Sequence, residues 1–419
     1  MSFANCLLMF EHFPKLQCMS PSLSLSPWID GKQWRCSCWC FLHQRLLHMY
    51  MITGRFQDLC IDCGAYSETP DTNKSYILWQ TDEKFIKTGD NKFLSSSHTQ
   101  FQMNTLRFFP KGRKNCYTLP FYDVDAKYFF RAGFYYGNYD GLSNPPSFYL
   151  EIDGNLWANV TTSMSEEMIY YELLYVTKKS RVRVCLIRTM DSDVPIITSL
   201  EAYYIIDAYE WMDNTTTLYL HSRINYGADT SVEQSIDPSA ERYNRIWKSK
   251  ELSNYVNIHA NYISHYFLLG ENRPPWPVMG YAIQSQNLTD SIYLSIDFSP
   301  RTAVQAYFVL YFMDPVSRLA QNQTSSVEIY IDNNKMVVTD IPNINSSSYN
   351  QFHVVTLFFV PVNGSSNVII SPAEGITLAP LLNAIEVFSA IDVSEGGHLF
   401  KFSSVLFIIS FHFLLILVT

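Results

Sequence analysis

Between residues 58 and 392, apolar and polar side chains alternate along short runs that end in turn residues. Phe148, Leu150 and Ile152 show the pattern, because successive side chains of a strand point to opposite faces and these three share one face. An Asp-Gly-Asn hairpin turn follows at residues 153–155. Since no stretch of this region has the long amphipathic pattern of a helix, the sequence predicts an all-β fold.

The alternating segments occur twice in the same order. An aromatic strand at Tyr128, the hairpin strand at Phe148–Ile152 and further apolar runs lead to Leu200. The same series, with its hairpin strand at Val327–Ile331, leads from Tyr307 to Ile385. Matched landmarks at nearly equal spacing indicate two copies of one β module rather than a chance likeness between strands. We therefore predict two tandem antiparallel β-sandwiches. The first module is placed over 58–208 and the second over 209–392.

Composition limits the kinds of partner that the chain can have. Its 419 residues are 47% hydrophobic and 16% charged, which is too apolar for a disordered chain. The formal net charge is −9 and no block of the sequence is basic, whereas binding to a phosphate backbone needs clustered positive charge. We therefore expect a folded protein with no nucleic-acid partner.

The first 57 residues depart from this pattern. Residues 16–57 show neither clean alternation nor a helical stripe, and we interpret residues 1–57 as an irregular segment foreign to the fold. Cys36, Cys38 and Cys40 lack the paired spacing of zinc ligands, so no metal site is predicted.

The last residues, 393–419, form a hydrophobic tail. No residue from Phe402 to Thr419 carries a full charge, although the run includes three serines and a histidine. We predict membrane attachment through this tail and leave two alternatives open, a short spanning helix and the signal for a glycosylphosphatidylinositol anchor. A buried C-terminal strand is the third interpretation.

Seven Asn-X-Ser/Thr sequons favour a lumenal or extracellular location, where such asparagines carry glycans. The alternative is that a chain rich in Asn, Ser and Thr produces sequons by chance. The predicted glycosylation sites are Asn73, Asn159, Asn214, Asn287, Asn322, Asn345 and Asn363.

Three cysteines fall within the first module, Cys63, Cys116 and Cys185. In the secretory pathway two of them are expected to form a disulfide, and the sequence leaves three pairings open. Cys60 is a candidate fourth partner. The alternative is that all are reduced and behave as small buried apolar groups.

Three arginines, Arg107, Arg113 and Arg131, flank aromatic strands. We expect them to form salt bridges at the surface.

Several short motifs follow one another along the alternating region. They are Cys60-Ile-Asp-Cys-Gly64, Leu106-Arg-Phe-Phe-Pro110, Gly112-Arg-Lys-Asn-Cys-Tyr-Thr-Leu119, Tyr128-Phe-Phe-Arg-Ala-Gly-Phe-Tyr-Tyr-Gly-Asn-Tyr-Asp140, Leu156-Trp157, Val184-Cys-Leu186, Arg242-Tyr-Asn-Arg-Ile-Trp247 and Pro380-Leu-Leu-Asn-Ala-Ile-Glu-Val-Phe388. In their number and order the chain resembles plant malectin-like domains, the extracellular part of many receptor-like kinases. The resemblance implies two tandem malectin-like folds, each a jelly-roll β-sandwich, and a sensing role outside the cell.

The sequence also departs from that family, in which this region leads into leucine-rich repeats or towards a membrane helix and kinase. It contains no leucine repeat and neither the glycine-rich loop nor the His-Arg-Asp loop of a kinase, so signalling by phosphorylation is not carried over. It also lacks the Gly-X-Ser-X-Gly elbow of serine hydrolases and shows no convincing pair of glycosidase carboxylates. We expect no enzyme activity and no cofactor.

Four residues are the candidate ligand-binding site, namely Tyr135, Tyr136, Tyr139 and Asp140. Sugar binding needs flat aromatic faces and nearby carboxylates or amides, and the Gly-Asn pair within this segment predicts a strand end at a loop rim. The alternative is that the tyrosines pack against the neighbouring module and that Asp140 caps a turn.

We therefore expect an extracellular, membrane-associated binding protein at the outer face of the plasma membrane, which recognises cell-wall carbohydrate. Two alternatives stay open. One is a module that binds a peptide or a receptor-kinase co-receptor, and the other is a truncated, non-signalling product of a receptor-like kinase locus.

Overall fold

The computed structural model describes residues 58–70, 77–94, 98, 100–229, 243–260, 271–299, 303–316, 325–342 and 352–391. The irregular segment at 1–57 and the hydrophobic tail at 393–419 lie outside these ranges, so both interpretations stay predictions. Among the helices of the described ranges, none has the length and apolar character needed to cross a membrane.

Within the described residues nearly all regular structure is β, which confirms the predicted fold class. The strands are β1 Leu59–Asp62, β2 Thr69–Pro70, β3 Leu78–Thr81, β4 Asp90–Phe93, β5 Thr105–Phe108, β6 Lys114–Pro120, β7 Lys127–Phe134, β8 Ser147–Ile152, β9 Asn155–Thr161, β10 Ile169–Val176, β11 Arg181–Arg188, β12 Ile196–Ile197, β13 Ser199–Tyr204, β14 Thr217–Tyr226, β15 Lys248–Lys250, β16 Val256–His259, β17 Tyr281–Gln284, β18 Ile292–Asp297, β19 Ala303–Phe312, β20 Ser325–Ile331, β21 Asn334–Ile341, β22 His353–Asn363, β23 Ser365–Pro372, β24 Leu381–Leu382 and β25 Ala384–Ile391. The helical residues are the 3-10 turns Asp82–Lys84 and Phe101–Asn104 and the short helix α1, Trp276–Met279.

A first hydrophobic core lies between two sheets in the N-terminal half. The sheet β6-β11-β8-β9 forms one wall, and strands β1, β13, β7 and β10 form the other. Alternation decides which side chains enter the core: Tyr117 and Leu119 of β6 point inward, whereas Cys116 and Thr118 do not. The hairpin that the sequence predicts at residues 153–155 joins β8 to β9 in this wall.

A second hydrophobic core lies in the C-terminal half. Phe308, Leu310 and Phe312 of β19 enter it together with Ile329 and Ile331 of β20. The strand that the sequence predicts near residue 327 is β20, and it pairs with β21 across a two-residue turn. Each fully buried side chain of this size contributes about 1.5–3 kcal/mol relative to exposure, so both cores are large stabilising units.

One continuous sheet runs through both halves. Its strand order is β2-β3-β1-β13-β7-β10-β14-β25-β19-β22-β23-β20-β21, and the halves meet where β10 pairs with β14. Only two register pairs make that junction, Leu173 with Tyr219 and Leu174 with Leu218. The predicted module boundary at 208/209 falls in the loop between β13 and β14 and stays a prediction.

A third hydrophobic cluster covers the other face of the continuous sheet, where strands of both halves contribute. Phe129 of β7, Tyr307 of β19 and Phe388 of β25 lie on this face. Tyr209, from the loop after β13, and Trp276 of α1 pack over them. The central strands are therefore buried on both faces, which explains why their sequences are aromatic throughout rather than cleanly alternating.

A chain of alternating charges crosses this covered face on five neighbouring strands, in the order Glu201, Arg131, Glu172, Arg223 and Glu386. Successive N–O distances along this charge ladder are 3.2, 2.5, 2.7 and 2.6 Å. All five residues are 6% exposed or less. The expected surface role of Arg131 is therefore wrong, because β7 is a central strand and the loops after β13 cover its second face.

Asn244 and Arg245, from the motif that the sequence shows at residues 242–247, close the charge ladder from the loop side. Arg131 donates from Nη2 to the backbone oxygen of Asn244 at 2.6 Å, and Arg245 donates from Nη1 to the hydroxyl oxygen of Tyr209 at 3.2 Å. Burial by itself would raise the pKa of Glu386, but Arg223 and Arg245 lower it below its usual value. The ladder therefore favours the carboxylate form of Glu386.

Candidate functional site

The segment predicted as a sugar-binding rim lies at the end of β7, and its first two tyrosines are buried. Tyr135 is 3% exposed and Tyr136 is 1% exposed. The Tyr135 hydroxyl donates to Glu166 Oε2 at 2.5 Å, and the Tyr136 hydroxyl donates to Asp140 Oδ1 at 2.6 Å. In contrast to the expected rim, neither ring has an open face, because tyrosine can place its ring in a core and still satisfy its hydroxyl.

The other two candidates lie nearer the surface. Tyr139 is half-buried, with its ring centroid 5.1 Å from Phe108 and 5.8 Å from Tyr136, and burial raises its pKa to about 12. Asp140 is exposed and accepts from the backbone N–H of Leu142 at 3.1 Å, as a turn cap does. The structure thus brings all four candidates together as a packed cluster, and their ligand-binding role stays a prediction.

The cysteines of the first half divide into one bridge and two thiols. A disulfide joins Cys116 of β6 to Cys185 of β11, which are register partners in neighbouring strands. Cys63 and Cys60 are free and buried, and burial raises the pKa of both thiols well above its usual value. No three His, Cys, Asp or Glu side chains of the described ranges gather as metal ligands would.

Four of the seven predicted glycosylation sites lie within the described residues, and all four are exposed. They are Asn159, Asn214, Asn287 and Asn363. Exposure is what the glycosyl transfer requires, so the geometry is compatible with the prediction. The sequons at Asn73, Asn322 and Asn345 lie outside the described residues.

A groove of about 830 Å³ opens over the outward faces of β6 and β11 and is the main candidate site. We call it the basic groove. Among the described residues that line it there is no carboxylate, although the whole chain carries a net charge of −9. Its cationic side chains are Lys84, Lys87, Lys114, Arg181 and Arg183.

Strand alternation places three of these cations. Arg181 and Arg183 of β11 alternate with Val182 and Val184, which are buried in the first core. Lys114 lies on the corresponding outward face of β6, which is paired antiparallel with β11. The Cys116–Cys185 disulfide fixes the two strands to each other on that same face.

A loop after β3 supplies the other two cations, Lys84 and Lys87. A buried pair holds this loop: Arg107 donates from Nε and Nη2 to the two carboxylate oxygens of Asp82 at 2.6 and 2.7 Å. Arg107 Nη1 also donates to the backbone oxygen of Thr88 at 3.0 Å. The expected surface role of Arg107 is therefore wrong, because its guanidinium is the buried anchor of the loop.

The charges of the basic groove are only partly compensated. Lys84 pairs with Glu68 at 3.1 Å, and Lys114 pairs with the buried Glu151. The other three cations, those at 87, 181 and 183, have no carboxylate partner among the described residues. A concave surface with uncompensated positive charge concentrates anions.

An aromatic ring stands beside these cations. Tyr122 lines the basic groove and is 69% exposed, whereas its neighbour Phe121 is packed inside. Thr118 and Asn115 add uncharged polar groups to the lining. An open ring face, hydrogen-bonding groups and cations together are what a carboxylate-bearing sugar chain would contact.

A smaller, polar groove of about 470 Å³ lies in the C-terminal half. Serine, threonine and amide side chains line it with Asp290, Tyr255 and the exposed Tyr293, and no cation does so among the described residues. It therefore lacks the charge that distinguishes the basic groove.

The basic groove was missed from the sequence because its cations come from three separate segments and form no basic block. A partial signal was present in β11, where Arg181 and Arg183 alternate with valines on the outward face. Their meeting with Lys84 and Lys87 depends on the loop anchor at Arg107, which no local pattern shows.

A family model of the malectin-like domain matches residues 61–390. An uncharacterized protein of Arabidopsis thaliana is 28% identical over 348 residues, covering 81% of this chain and 66% of its own length. The LRR receptor-like serine/threonine-protein kinase IOS1 of the same plant is 29% identical over 335 residues, covering 79% of this chain and 36% of the kinase. The chain thus spans less than two thirds of the length of either relative.

Solved structures show the same fold. The Arabidopsis thaliana ANX2 ectodomain matches with a TM-score of 0.63 at 17% identity, covering 80% of this chain and 97% of that one. The plant receptor-like kinase FER matches with a TM-score of 0.63 at 19% identity, covering 82% and 98%. In sequence and fold the described chain resembles receptor-like kinase ectodomains, and with its family model matched over residues 61–390 it belongs to the malectin-like domain family.

Proposed function

We propose that this chain is an extracellular ligand-binding module, held at the outer face of the plasma membrane, whose basic groove recognises carboxylate-bearing cell-wall carbohydrate. The observation that carries the proposal is the groove itself, in which five cations and one exposed tyrosine surround a cavity that no described carboxylate lines. Its likeness to receptor-like kinase ectodomains supports the location and a binding rather than catalytic role.

The chemistry of the lining selects among sugars. A neutral glucan offers hydroxyls and ring faces but nothing that balances Lys87, Arg181 and Arg183. A uronic acid chain repeats one carboxylate per sugar, and a guanidinium can bind a carboxylate through two parallel hydrogen bonds. Tyr122 can cover the apolar face of one ring while the cations hold the carboxylates of its neighbours.

Isothermal titration with a hexamer of galacturonic acid and with a hexamer of glucose tests the proposal. We expect the acidic hexamer to bind at least about tenfold more tightly, and the Arg181→Ala/Arg183→Ala variant to lose at least about tenfold in that affinity. Raising the salt concentration should weaken the wild-type binding, because both arginines are exposed.

The matched control is Lys179→Ala, which removes one exposed cation of the neighbouring hairpin that does not line the groove. It should leave the affinity unchanged. Equal binding of both hexamers, or equal affinity of the wild type and the double-arginine variant, would remove the basic groove as the site.

A second candidate function is recognition of a peptide or a co-receptor. It is favoured by a match, with a TM-score of 0.59 at 16% identity, to a crystal structure of the plant peptide RALF23 in complex with FER and LLG2. Pull-down of a protein partner that persists in excess acidic and neutral oligosaccharide would favour this function. Complete competition by the acidic hexamer would favour the carbohydrate.

The glycans and the membrane attachment belong to the same proposal. Treatment with a glycosidase that releases N-linked glycans should lower the apparent mass of the expressed protein. Phospholipase release of the intact protein from cells would identify a lipid anchor, and retention in the membrane would identify a spanning helix. An unglycosylated, cytosolic product would contradict the proposed location.

A further inference from the structure

Strand β22 carries a bulge that exposes two adjacent phenylalanines. Its register against β19 moves from Ala306 opposite Val360 to Phe308 opposite Leu357, so Phe358 and Phe359 together oppose one residue. Phe358 is 46% exposed and Phe359 is 59% exposed. Bulges of this kind re-aim side chains and are common beside functional sites.

The exposed rings lie on further aromatic side chains. Phe359 is 5.1 Å from Tyr307 between ring centroids, Phe358 is 5.6 Å from Trp211, and Trp211 is stacked on Tyr307 at 5.8 Å. We call these four residues the aromatic patch. Tyr307 is buried and Trp211 is half-buried, so these two side chains support the exposed rings of Phe358 and Phe359 from below.

The backbone of the aromatic patch is held in an unfavourable conformation. Phe359 has φ +52°, in the left-handed region that a bulky side chain rarely adopts. Tyr209, which packs its ring 6.0 Å from Trp211, also has φ +52°. Phe358 and Phe359 are both exposed and Phe359 is also strained, which is unfavourable for the isolated fold, and burial of the two rings against a partner would recover the part of that loss that comes from exposure.

Acidic side chains flank the aromatic patch. Glu210 and Asp213 lie on either side of Trp211 in the chain and are exposed, and Asp213 is close enough to Tyr307 to raise its pKa, an effect second to burial. The ammonium of Lys127 donates to the backbone oxygens of Tyr209 and Met212 and is attracted to both carboxylates, so it offsets one of their two negative charges and leaves the other. The surface therefore combines open π faces with carboxylates, which suits a cation attached to an apolar segment.

We propose that the aromatic patch is a docking surface for a protein segment in which Arg or Lys stands next to apolar side chains. The arginine or lysine would lie against the rings of Phe358 and Phe359 near Glu210 and Asp213, and its apolar neighbours would cover the phenylalanines. The inference is independent of the carbohydrate proposal, because the basic groove and the aromatic patch share no residue.

An array of random-sequence dodecapeptides, probed with the full chain, tests the inference. We expect the retained peptides to be enriched in Arg or Lys adjacent to Leu, Phe or Tyr. Phe358→Ser/Phe359→Gly should weaken the strongest of these peptides by at least about tenfold, and Glu210→Gln/Asp213→Asn by a smaller factor. Glycine accepts φ +52° without strain, so the thermal unfolding midpoint of Phe359→Gly reports whether the fold survives.

Tyr66→Ala, which removes an exposed ring outside the aromatic patch, is the matched control and should bind the peptides as the wild type does. Enrichment of acidic or uncharged peptides would overturn the inference, and so would equal retention by the wild type and the double-phenylalanine variant. Self-association in sedimentation that Phe359→Gly abolishes would also overturn it, by assigning the surface to a second copy of the chain.

Discussion

At the scale of single residues, the turn after β1 accepts only glycine at position 64. Gly64 has φ +80°, and a Cβ there would lie 2.2 Å from the backbone oxygen of Leu106. That oxygen belongs to β5 and cannot move without disturbing its sheet. Gly141 has a similar φ of +74° but no atom within 4 Å of the same position, so it isolates the conformational effect.

We therefore expect Gly64→Ala to lower the free energy of unfolding by about 3 kcal/mol or more, and Gly141→Ala by only about 1 kcal/mol. Urea unfolding of both variants measures the difference. Equal losses in the free energy of unfolding would show that the backbone at Leu106 moves to make room for the added methyl group.

A second residue makes stability depend on pH. Burial raises the pKa of Asp62 to about 7, although a hydrogen bond from Thr105 Oγ1, at 3.0 Å, opposes that shift. The buried carboxylate of Asp82 adds to it. Since the folded-state pKa lies above the unfolded value of 3.8, this group stabilises the fold fully below pH 3.8 and loses its contribution as pH rises to about 7.

The contribution of Asp62 to the free energy of unfolding should thus fall by up to roughly 3–4 kcal/mol between pH 4 and pH 7.5. Asp62→Asn imitates the neutral carboxyl and should remove this part of the slope. Chemical unfolding of both proteins at pH 4.5, 6 and 7.5 provides the comparison. Parallel pH profiles for wild type and variant would assign the slope to other groups.

The sequence showed which residue types occur at the predicted sites but not how deeply each side chain is buried. Tyr135 and Tyr136 were expected at a rim because tyrosine suits wet recognition surfaces, yet the same side chain satisfies its hydroxyl inside a core through Glu166 or Asp140. Arg131 was expected at the surface because nothing local indicates that its two neighbouring strands bring glutamates to the same face. Burial of a polar side chain is set by distant partners, which one sequence does not display.

At the scale of elements, the sequence predicted both the strand and its inward face where one face of the strand is exposed. The alternation at Phe148–Ile152 and Val327–Ile331 predicted β8 and β20 with the correct inward faces. In β7 and β19 both faces are buried, so their aromatic runs predicted strands but did not indicate which face of β7 places Arg131 in the charge ladder. The bulge in β22 left no signal, because Phe358 and Phe359 read as an ordinary apolar pair.

The charge ladder depends on each of its links. Arg223 bridges Glu172 and Glu386 at 2.7 and 2.6 Å, and Arg223→Met would leave both carboxylates buried without that partner. We expect a loss of about 3–5 kcal/mol in the free energy of unfolding. Adding Glu386→Met should recover part of it, because one uncompensated charge is then removed. Urea unfolding of the single and double variants decides, and a loss under about 1 kcal/mol would contradict a tightly coupled ladder.

At the scale of the whole molecule, the two cores share one sheet and one covered face. The β10–β14 junction is short, but the charge ladder and the third cluster continue across it. We expect scanning calorimetry of the full chain to show one transition, with calorimetric and van't Hoff enthalpies that agree. Two resolved transitions would show that the halves unfold as separate modules.

The central claim is that the basic groove on β6 and β11 receives a carboxylate-bearing sugar chain. A crystal structure of the protein with bound galacturonic acid trimer tests it most directly. We predict a sugar ring against Tyr122 with its carboxylates at Arg181 and Arg183. A trimer bound instead at Tyr139 and Asp140 or in the polar groove of the C-terminal half, with the basic groove empty, would contradict the account.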